Sequence, residues 1–342
     1  MHKQYGDYMG DSDANYYGSD SGTSNIGGAN GHIFKKLLYM ILNARRGWKE
    51  RNNRKAIASI KPDDYRAYLE KWFSSNTGET LDLDSPQTFN QKIQWLKLYD
   101  STPLKGTLSD KYLVRSYVSE SIGSQYLIPL LGVWDDPHSI DFAALPDKFV
   151  LKATHGCGWN IIVRNKETLD QKLAIKQLEK WLQINYANYP SLELHYNYCE
   201  PRIIAEAYIT NSNQDLYDYK FWCFDGRVEY IQFLSERSSE LRMNFFDREW
   251  HDLGIRYNHP SSNKLIPRPD NLDTMIRLAE KLSEGFPHVR VDFYRLDDGS
   301  IYFGELTFTS FGGVCDWDPP SADYDFGAMI NLDPLKKTKR TS

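Results

Sequence analysis

Cysteine is scarce in this chain and badly spaced for cross-linking: Cys157, Cys199, Cys223 and Cys315 are the four in 342 residues, and no two form a C-x-x-C pair. That pattern speaks against a disulfide framework and a thiolate zinc site, and it fits a reducing cytoplasm. Long apolar runs are missing as well. The longest, such as LLYMIL at 37–42, fall far short of the roughly 20 residues a membrane span needs, and no charged-apolar-cleavage pattern opens the chain. Neither a spanning segment nor export is expected. Excess positive charge is also absent: 41 Lys and Arg against 46 Asp and Glu give a net charge of −5. With no stripe of interleaved basic and aromatic residues, nucleic acid is not an expected partner. There is no fixed-period repeat and no G-x-x-x-x-G-K-[ST] loop, and the GCG at 156–158 does not continue into a dinucleotide fingerprint.

Core-forming material, by contrast, is ample. Hydrophobic residues make up 41% of the chain and aromatics 14%, and the length suggests about two domains. Residues 1–31 are the exception: rich in Gly, Ser, Asp, Asn and Tyr, with almost no aliphatics, they read as a disordered tail. Between Phe34 and Lys55, eight Lys or Arg accompany a single acid, Glu50, around the LLYMIL run. This is either a solvated helix face or a basic amphipathic helix, carrying Arg45 and Arg46, that rests on an anionic membrane surface.

SPQTFNQKIQWLKLYD (85–100) predicts a helix started by Ser85 and Pro86, with Phe89, Ile93 and Leu96 along one face. LSDKYLVRSYVSESIG (108–123) predicts another, capped by Ser109 and stopped by Gly123. DKFVLKATHGCGWNIIV (147–163) reads as strand, glycine turn, strand. A helix over about 169–186 follows, then RIIAEAYI, DYKFWCFDG, RVEYIQFL and MNFFDREW as successive strands, and a helix near 272–283. The succession predicts an α+β architecture with largely antiparallel sheets in its second half.

The stretch VRVDFYRLDDGSIYFGELT (289–307) alternates bulky and polar residues around Asp298-Gly299, a type I′ hairpin signal. A two-residue turn there sets Asp292 opposite Glu305 and Arg290 opposite Thr307, all four on one face. Carboxylates so opposed sit roughly 5 Å apart at Cβ and repel. A divalent cation between them resolves the conflict, and oxygen ligands without a nearby His or Cys favour Mg²⁺ over zinc. The plain alternative is an exposed hairpin whose acids face water. A loop one residue longer would shift the pairing.

Lys152 ends the strand FVLK just before Gly156 and Gly158, so a lysine charge and glycine-exposed backbone N–H groups could meet a phosphate, unless this is an ordinary hairpin turn. Lys111 and Arg115 share a helical face, the usual look of a surface charge pair. Lys220 lies mid-strand among aromatics, Arg242 begins another apparent strand, and Glu206 interrupts an apolar run; solvated strand positions account for each singly.

Taken in order, these pieces resemble the ATP-grasp superfamily. DKYLVR is similar to the D-K-x-x-x-K/R helix of D-alanine:D-alanine ligases, FVLKATHGCGWN to their lysine strand and glycine loop, EAYI to their hinge, and RVDF…ELT to the R-x-D-F…E-x-N strands that hold two Mg²⁺. DYK resembles the D-I-R strand of tubulin-tyrosine-ligase-like members. More closely, TFNQKIQWLKLYD, DKYLVRSYV, YLIPLLGVWD, FVLKATHG, DYKFWCFDG and YFGELTF resemble the TupA-like ATP-grasp family, named for teichuronopeptide biosynthesis, from about Gln87 to Asn331.

The resemblance implies an α+β ATP-grasp fold, two lobes clasping ATP (109–205 and 206–335) preceded by a helical region (32–108). It implies ATP with its adenine at Glu206, Tyr208 and Ile209, its phosphates at Arg115, Lys152, His155, Gly156 and Gly158, and Asp218 near ribose or Lys220. Mg²⁺ falls to Asp292, Glu305 and Thr307, the last standing where many members carry Asn, with Thr309 or water as substitutes. Arg290, Lys220 and Arg242 are the implied catalytic cations. The implied reaction joins a small-molecule or glycan carboxylate to an amine through an acyl phosphate, on a surface polysaccharide, in the cytoplasm. Cys157 reads as a small filler in the loop. Two other readings stay open: a glycosyltransferase using Asp316 and Asp318 of DWD as a D-x-D metal site, and a nucleotide-binding module without catalysis.

Overall fold

The computed structural model describes residues 51–213, 216–235, 241–257 and 259–340. The expected tail and most of the basic segment, Arg45 and Arg46 included, lie outside the described residues. The chain is helical over 51–58 (α1), then forms α2 (Tyr65–Thr77), α3 (Phe89–Tyr99), α4 (Pro103–Ser109) and α5 (Val114–Ser121). A first sheet of β1 (Leu130–Trp134), β2 (Phe149–Ala153), β3 (Asn160–Val163) and β4 (Ile203–Ala207) runs in the order β1-β4-β2-β3, with α6 (Gln171–Leu182) packed against it. A second sheet runs β10-β9-β5-β6-β7, from β5 (Tyr217–Phe224), β6 (Arg227–Ser235), β7 (Arg242–Phe246), β9 (His288–Arg295) and β10 (Ile301–Thr307). Both sheets are antiparallel throughout. α7 (Leu272–Ser283) precedes β9, β8 (Arg256–Tyr257) pairs with β11 (Trp317–Asp318), and α8 (Ser321–Met329) and α9 (Asp333–Arg340) end the chain.

Local chemistry places the helix ends. Thr88, not Ser85, caps α3: its side chain accepts from the Gln91 N–H, while Gln91 Oε1 accepts from the Gln87 N–H at 2.9 Å. The expected single helix over 108–123 is two. Ser109 closes α4, and Asp110 takes the N–H groups of Tyr112 and Leu113 at 2.8 and 2.9 Å, turning the chain before α5. A carboxylate outcompetes the Ser hydroxyl for those donors because its charge meets the positive end of the helix.

The second sheet is the middle of three layers. One face packs Tyr219, Phe221, Ile231 and Val291 against α5 and α7. The other packs Trp222, Phe245 and Leu234 against α3 and α8, so the N-terminal helices share a core with this sheet. Phe89 on α3 stands edge-on to His288, Trp317 and Phe326 within 6.2 Å, an aromatic nest that favours tilted contacts over stacking. Lys92 on the same helix donates to the Gly327 and Ile330 carbonyls, both at 2.8 Å, satisfying the C-terminal end of α8.

That close approach sets a test of the packing. A Cβ at Gly327 would lie 2.3 Å from the Gln87 carbonyl oxygen and 2.7 Å from the Phe89 nitrogen, both backbone atoms that cannot turn aside. Gly327→Ala is expected to pry α8 from α3 and cost about 1–3 kcal/mol, read as a lower urea midpoint at unchanged slope; an unshifted midpoint would show that the helices do not need this contact.

Candidate functional site

The hairpin β9–β10 brings the expected acids together by a route the alternation alone does not show. The Leu296 N–H donates to the Ser300 carbonyl at 2.9 Å and Gly299 has φ +84°, so three residues, 297–299, form the loop. That extra residue slides the ladder by one: Tyr302 faces Tyr294 and Phe303 faces Phe293. Left so, Glu305 would face Val291 and point to the wrong side of the sheet. A β-bulge at Gly304 slides the register back, and Glu305 faces Asp292 with Thr307 facing Arg290. A Cβ at Gly304 would come within 3.1 Å of the Asp292 carbonyl oxygen, which accounts for glycine at the bulge.

The four side chains form one bonded group. Arg290 donates to Asp292 through Nε and Nη2 at 2.7 and 2.8 Å, to Glu305 Oε1 at 2.9 Å and to Thr307 Oγ1 at 3.1 Å. Thr307 donates to Glu305 Oε1 at 2.7 Å. From β5, which pairs Lys220 with Asp292, Lys220 Nζ donates to Asp292 Oδ2 and lies 2.9 Å from Asp218. Burial alone would push the Asp292 carboxyl up, but the charges of Arg290 and Lys220 outweigh it and hold the group below the usual range. Burial likewise opposes the Arg290 charge, and Asp292 with Glu305 more than restores it.

The first sheet supplies a second charged group. Lys152 on β2 and Arg115 on α5 grip the two oxygens of Glu206 on β4, at 2.6 and 2.9 Å, and Arg115 also donates to the Ile128 carbonyl at 2.9 Å. Lys111, the expected surface partner of Arg115, instead donates through Nζ to the carbonyl of Gly156 and so anchors the glycine loop. Tyr208 and Ile209 follow β4 directly, and Tyr208 accepts at 3.4 Å from Arg164.

Cys157 in the glycine loop is within reach of the charges on β9 and β10. It reaches solvent, yet surrounding protein desolvates the thiol and, with Glu305 adding to the effect, pushes it up to about 11; Arg290 and Lys111 pull the other way.

Three expected positions point elsewhere. His155 Nε2 meets the Trp181 carbonyl at 3.1 Å and its ring packs edge-on to Trp159, which turns it toward α6 and leaves Nδ1 buried without a hydrogen-bond partner among the described residues. Arg242 lies on edge strand β7 opposite Ser235, and alternation puts it on the sheet face away from Lys220. The Thr309 hydroxyl donates to buried Glu193. In DWD, Trp317 is core and Asp318 pairs with Arg256 at 2.6 Å. A cavity of about 600 Å³, lined by Tyr217, Tyr219, Phe233 and Arg295, opens on the face opposite the acids.

Residue-type patterns gave no sign of Glu193 or of the buried polar row Asn90, Gln94 and Lys97 on α3. The only clue to the row is its spacing, one position behind the apolar stripe of Phe89, Ile93 and Leu96.

The family model for TupA-like ATPgrasp matches residues 91–331. No curated protein matches the chain. Solved structures it resembles include N5-carboxyaminoimidazole synthetase from Staphylococcus aureus, at 13% identity over 59% of this chain and 44% of that one, with a TM-score of 0.36. The ATP-grasp ligase PsnB, in complex with a minimal precursor, Mg and ADP, matches at 13% identity over 64% and 58%, TM-score 0.34. The D-alanine-D-alanine ligase from Coxiella burnetii matches at 11% over 74% and 67%, TM-score 0.41. The chain thus spans less than two thirds of the length of the first two.

Removing one partner from the buried Arg290–Asp292 pair leaves a charge without compensation. Asp292→Asn is expected to cost about 3–5 kcal/mol at pH 7. Because the folded carboxyl titrates below its unfolded value, its contribution is complete above the unfolded pKa and is lost as pH falls through the folded one. Urea unfolding of both proteins should therefore give a gap that is constant from pH 7 to 5 and narrows below about 4; a gap that widened on acidification would contradict an ionised, paired Asp292.

Proposed function

The chain belongs to the TupA-like ATP-grasp family, and from that premise we propose that it is an ATP- and Mg²⁺-dependent ligase joining a carboxylate to an amine. The observation that carries the reading is the pair of buried ion groups on either side of the glycine loop: Glu206 held by Lys152 of β2 and Arg115 of α5, and Asp292 and Glu305 held by Arg290 and Lys220 of the second sheet.

The donor set fits magnesium. Asp292 and Glu305 offer hard oxygens beside the Thr307 hydroxyl, and among the described residues no group of three or more His, Cys, Asp or Glu forms a self-contained metal cage. Mg²⁺ usually binds through one or two carboxylates plus substrate phosphates. The charge count leads the same way: four cations, Arg115, Lys152, Lys220 and Arg290, already face four carboxylates, Glu206, Asp218, Asp292 and Glu305. A triphosphate entering a balanced cleft needs further positive charge, and Mg²⁺ held by Asp292 and Glu305 would supply it.

Adenine would lie against Tyr208 and Ile209 beside Glu206, with the phosphates at Lys152, Arg115 and the turn from Gly156 to Gly158. The substrate carboxylate oxygen attacks the γ-phosphorus and ADP leaves; Arg290 and Lys220 stabilise the charge that develops on the transferred group. The amine nitrogen then attacks the acyl carbon, phosphate leaves with the electron pair of the C–O bond, and the nitrogen loses its proton to give the amide. The family's name supports an amino acid and a uronic acid of a surface polysaccharide as the pair. Among the described residues no helix is long and apolar enough to cross a membrane; contact with a membrane surface through the basic segment at 34–55 is part of the proposal.

Mg-ATP is expected to raise the melting temperature and a nucleotide sugar to leave it unchanged. ADP release should require acid and amine together, and Glu305→Gln should lower it about 10²–10³-fold while the fold persists. Stabilisation by UDP-sugars alone would replace this reading with the transferase, and full ADP release in Glu305→Gln would remove Glu305 from the metal site and overturn this assignment.

A further inference from the structure

The second sheet has a direction relative to the cleft. β4 leads through Tyr208 and Ile209 toward β5, so the start of β5, the end of β9 and the start of β10 lie at the hinge. A nucleotide running from the hinge to Asp292 and Glu305 therefore has the continuation of β10, Phe308 onward, beyond its terminal phosphate. On the ligase reading, the acceptor approaches from that side.

This continuation is held in an unusual shape. Phe311, Gly312 and Gly313 have φ of +50°, +60° and +68°, three left-handed residues in a row. For Phe311, which carries a Cβ, the conformation is unfavourable, and such backbone persists only where its surroundings fix it. The surroundings are the buried polar row of α3. Gln94 Nε2 donates to the carbonyls of Gly312 and Gly313 at 2.9 and 2.7 Å. Lys97 Nζ donates to the Gly312 carbonyl, and to Gln94 Oε1 at 2.9 Å, and stands 4.7 Å from the Trp72 ring. Asn90 closes the turn, exchanging hydrogen bonds with the Cys315 N–H and carbonyl, both at 2.9 Å. On the other flank Thr309 is tied to Glu193, which also accepts from Ser191 at 2.8 Å.

Lys97 is fully buried and makes no hydrogen bond to a carboxylate in this group. Burial lowers its pKa to about 7, with Glu193 opposing. An apolar side chain of the same length would fill the space without that desolvation, so packing alone does not explain a lysine here.

We propose that Lys97 and Gln94 are positioning residues: their hydrogen bonds to the Gly312 and Gly313 carbonyls fix the left-handed turn that continues β10, and through it the position of Glu305 and Thr307 toward the acceptor. The role in catalysis rests on the ligase reading; the role in holding the turn does not. Lys97→Met tests both in the full chain, with Gln94→Met as a second variant should the first not fold. Glucuronate and hydroxylamine serve as probe acid and nucleophile. The expected result is an unchanged Mg-ADP thermal shift, a KM for ATP within twofold of wild type, a KM for glucuronate raised at least tenfold, and amide hydrogen exchange over 308–315 at least tenfold faster. Unchanged exchange in both variants overturns the proposal, as does faster exchange with an unchanged glucuronate KM. If wild type binds Mg-ATP but releases no ADP with this pair or any other acid and amine, the ligase reading falls, and exchange over 308–315 still decides whether the row holds the turn.

Discussion

A buried guanidinium between two opposed carboxylates is the constraint from which the rest of the site follows. Arg290 binds Asp292 and Glu305 at once, and each charge is bearable only because the others are there. Two acids facing each other across a ladder repel, and an arginine deprived of water without a counter-charge would cost several kcal/mol. The group can form only if Glu305 faces Asp292, and this fixes the strand register. The register in turn depends on a loop of three residues and a bulge at Gly304 that cancel each other's shift. A turn, a glycine and an ion network thus form one device spread over sixteen residues, 290–305.

Some of this is legible in the sequence because period-two alternation survives such cancelling shifts. The alternation over 289–307 names the right opposed pair while implying the wrong turn, since Asp298-Gly299 suits the end of a three-residue loop as well as a two-residue one. The lysine strand, glycine turn and hinge strand are legible for the same reason: strands broadcast their faces locally. Helix ends are less so. Ser109 and Asp110 are both good caps, and nothing local says that the chain turns between them, because that turn is set by the Lys111 N–H reaching the Thr154 carbonyl forty-three residues on. Side chains whose partners are distant are hidden altogether. His155 borders the right loop but its ring is claimed by the end of α6, and Arg242 shares its strand with core residues while facing away from the cleft.

The N-terminal helices read in the sequence as a separate region before the two lobes, and packing gives the reason they are not independent of the second. A sheet whose one face is covered by α5 and α7 still has the other to bury, and away from the cleft that face carries Trp222, Phe245 and Leu234. α3 and α8 cover it, and α3 does so with two rows, one apolar and one polar. The apolar row makes the core; the polar row satisfies backbone carbonyls that a left-handed turn cannot satisfy within itself. An amphipathic pattern shows the first row and conceals the second, because buried polar groups look like surface ones until their partners are in view.

Charge balance explains why so many cations can wait in one cleft. Arg115 and Lys152 are shared by Glu206, and Lys220 and Arg290 by Asp218, Asp292 and Glu305. Each cation is therefore held in place and desolvated by a carboxylate before any anion arrives, which removes much of the reorganisation that binding would otherwise demand. Under the proposed reaction, a phosphate approaching Lys152 would exchange one anionic partner for another, and a divalent cation approaching Glu305 would replace part of what Arg290 contributes. Partner exchange within a fixed lattice of charges is less costly than drawing free side chains out of water, so the same interactions that stabilise the hairpin would also prepare it for the nucleotide and Mg²⁺ of the proposed reaction.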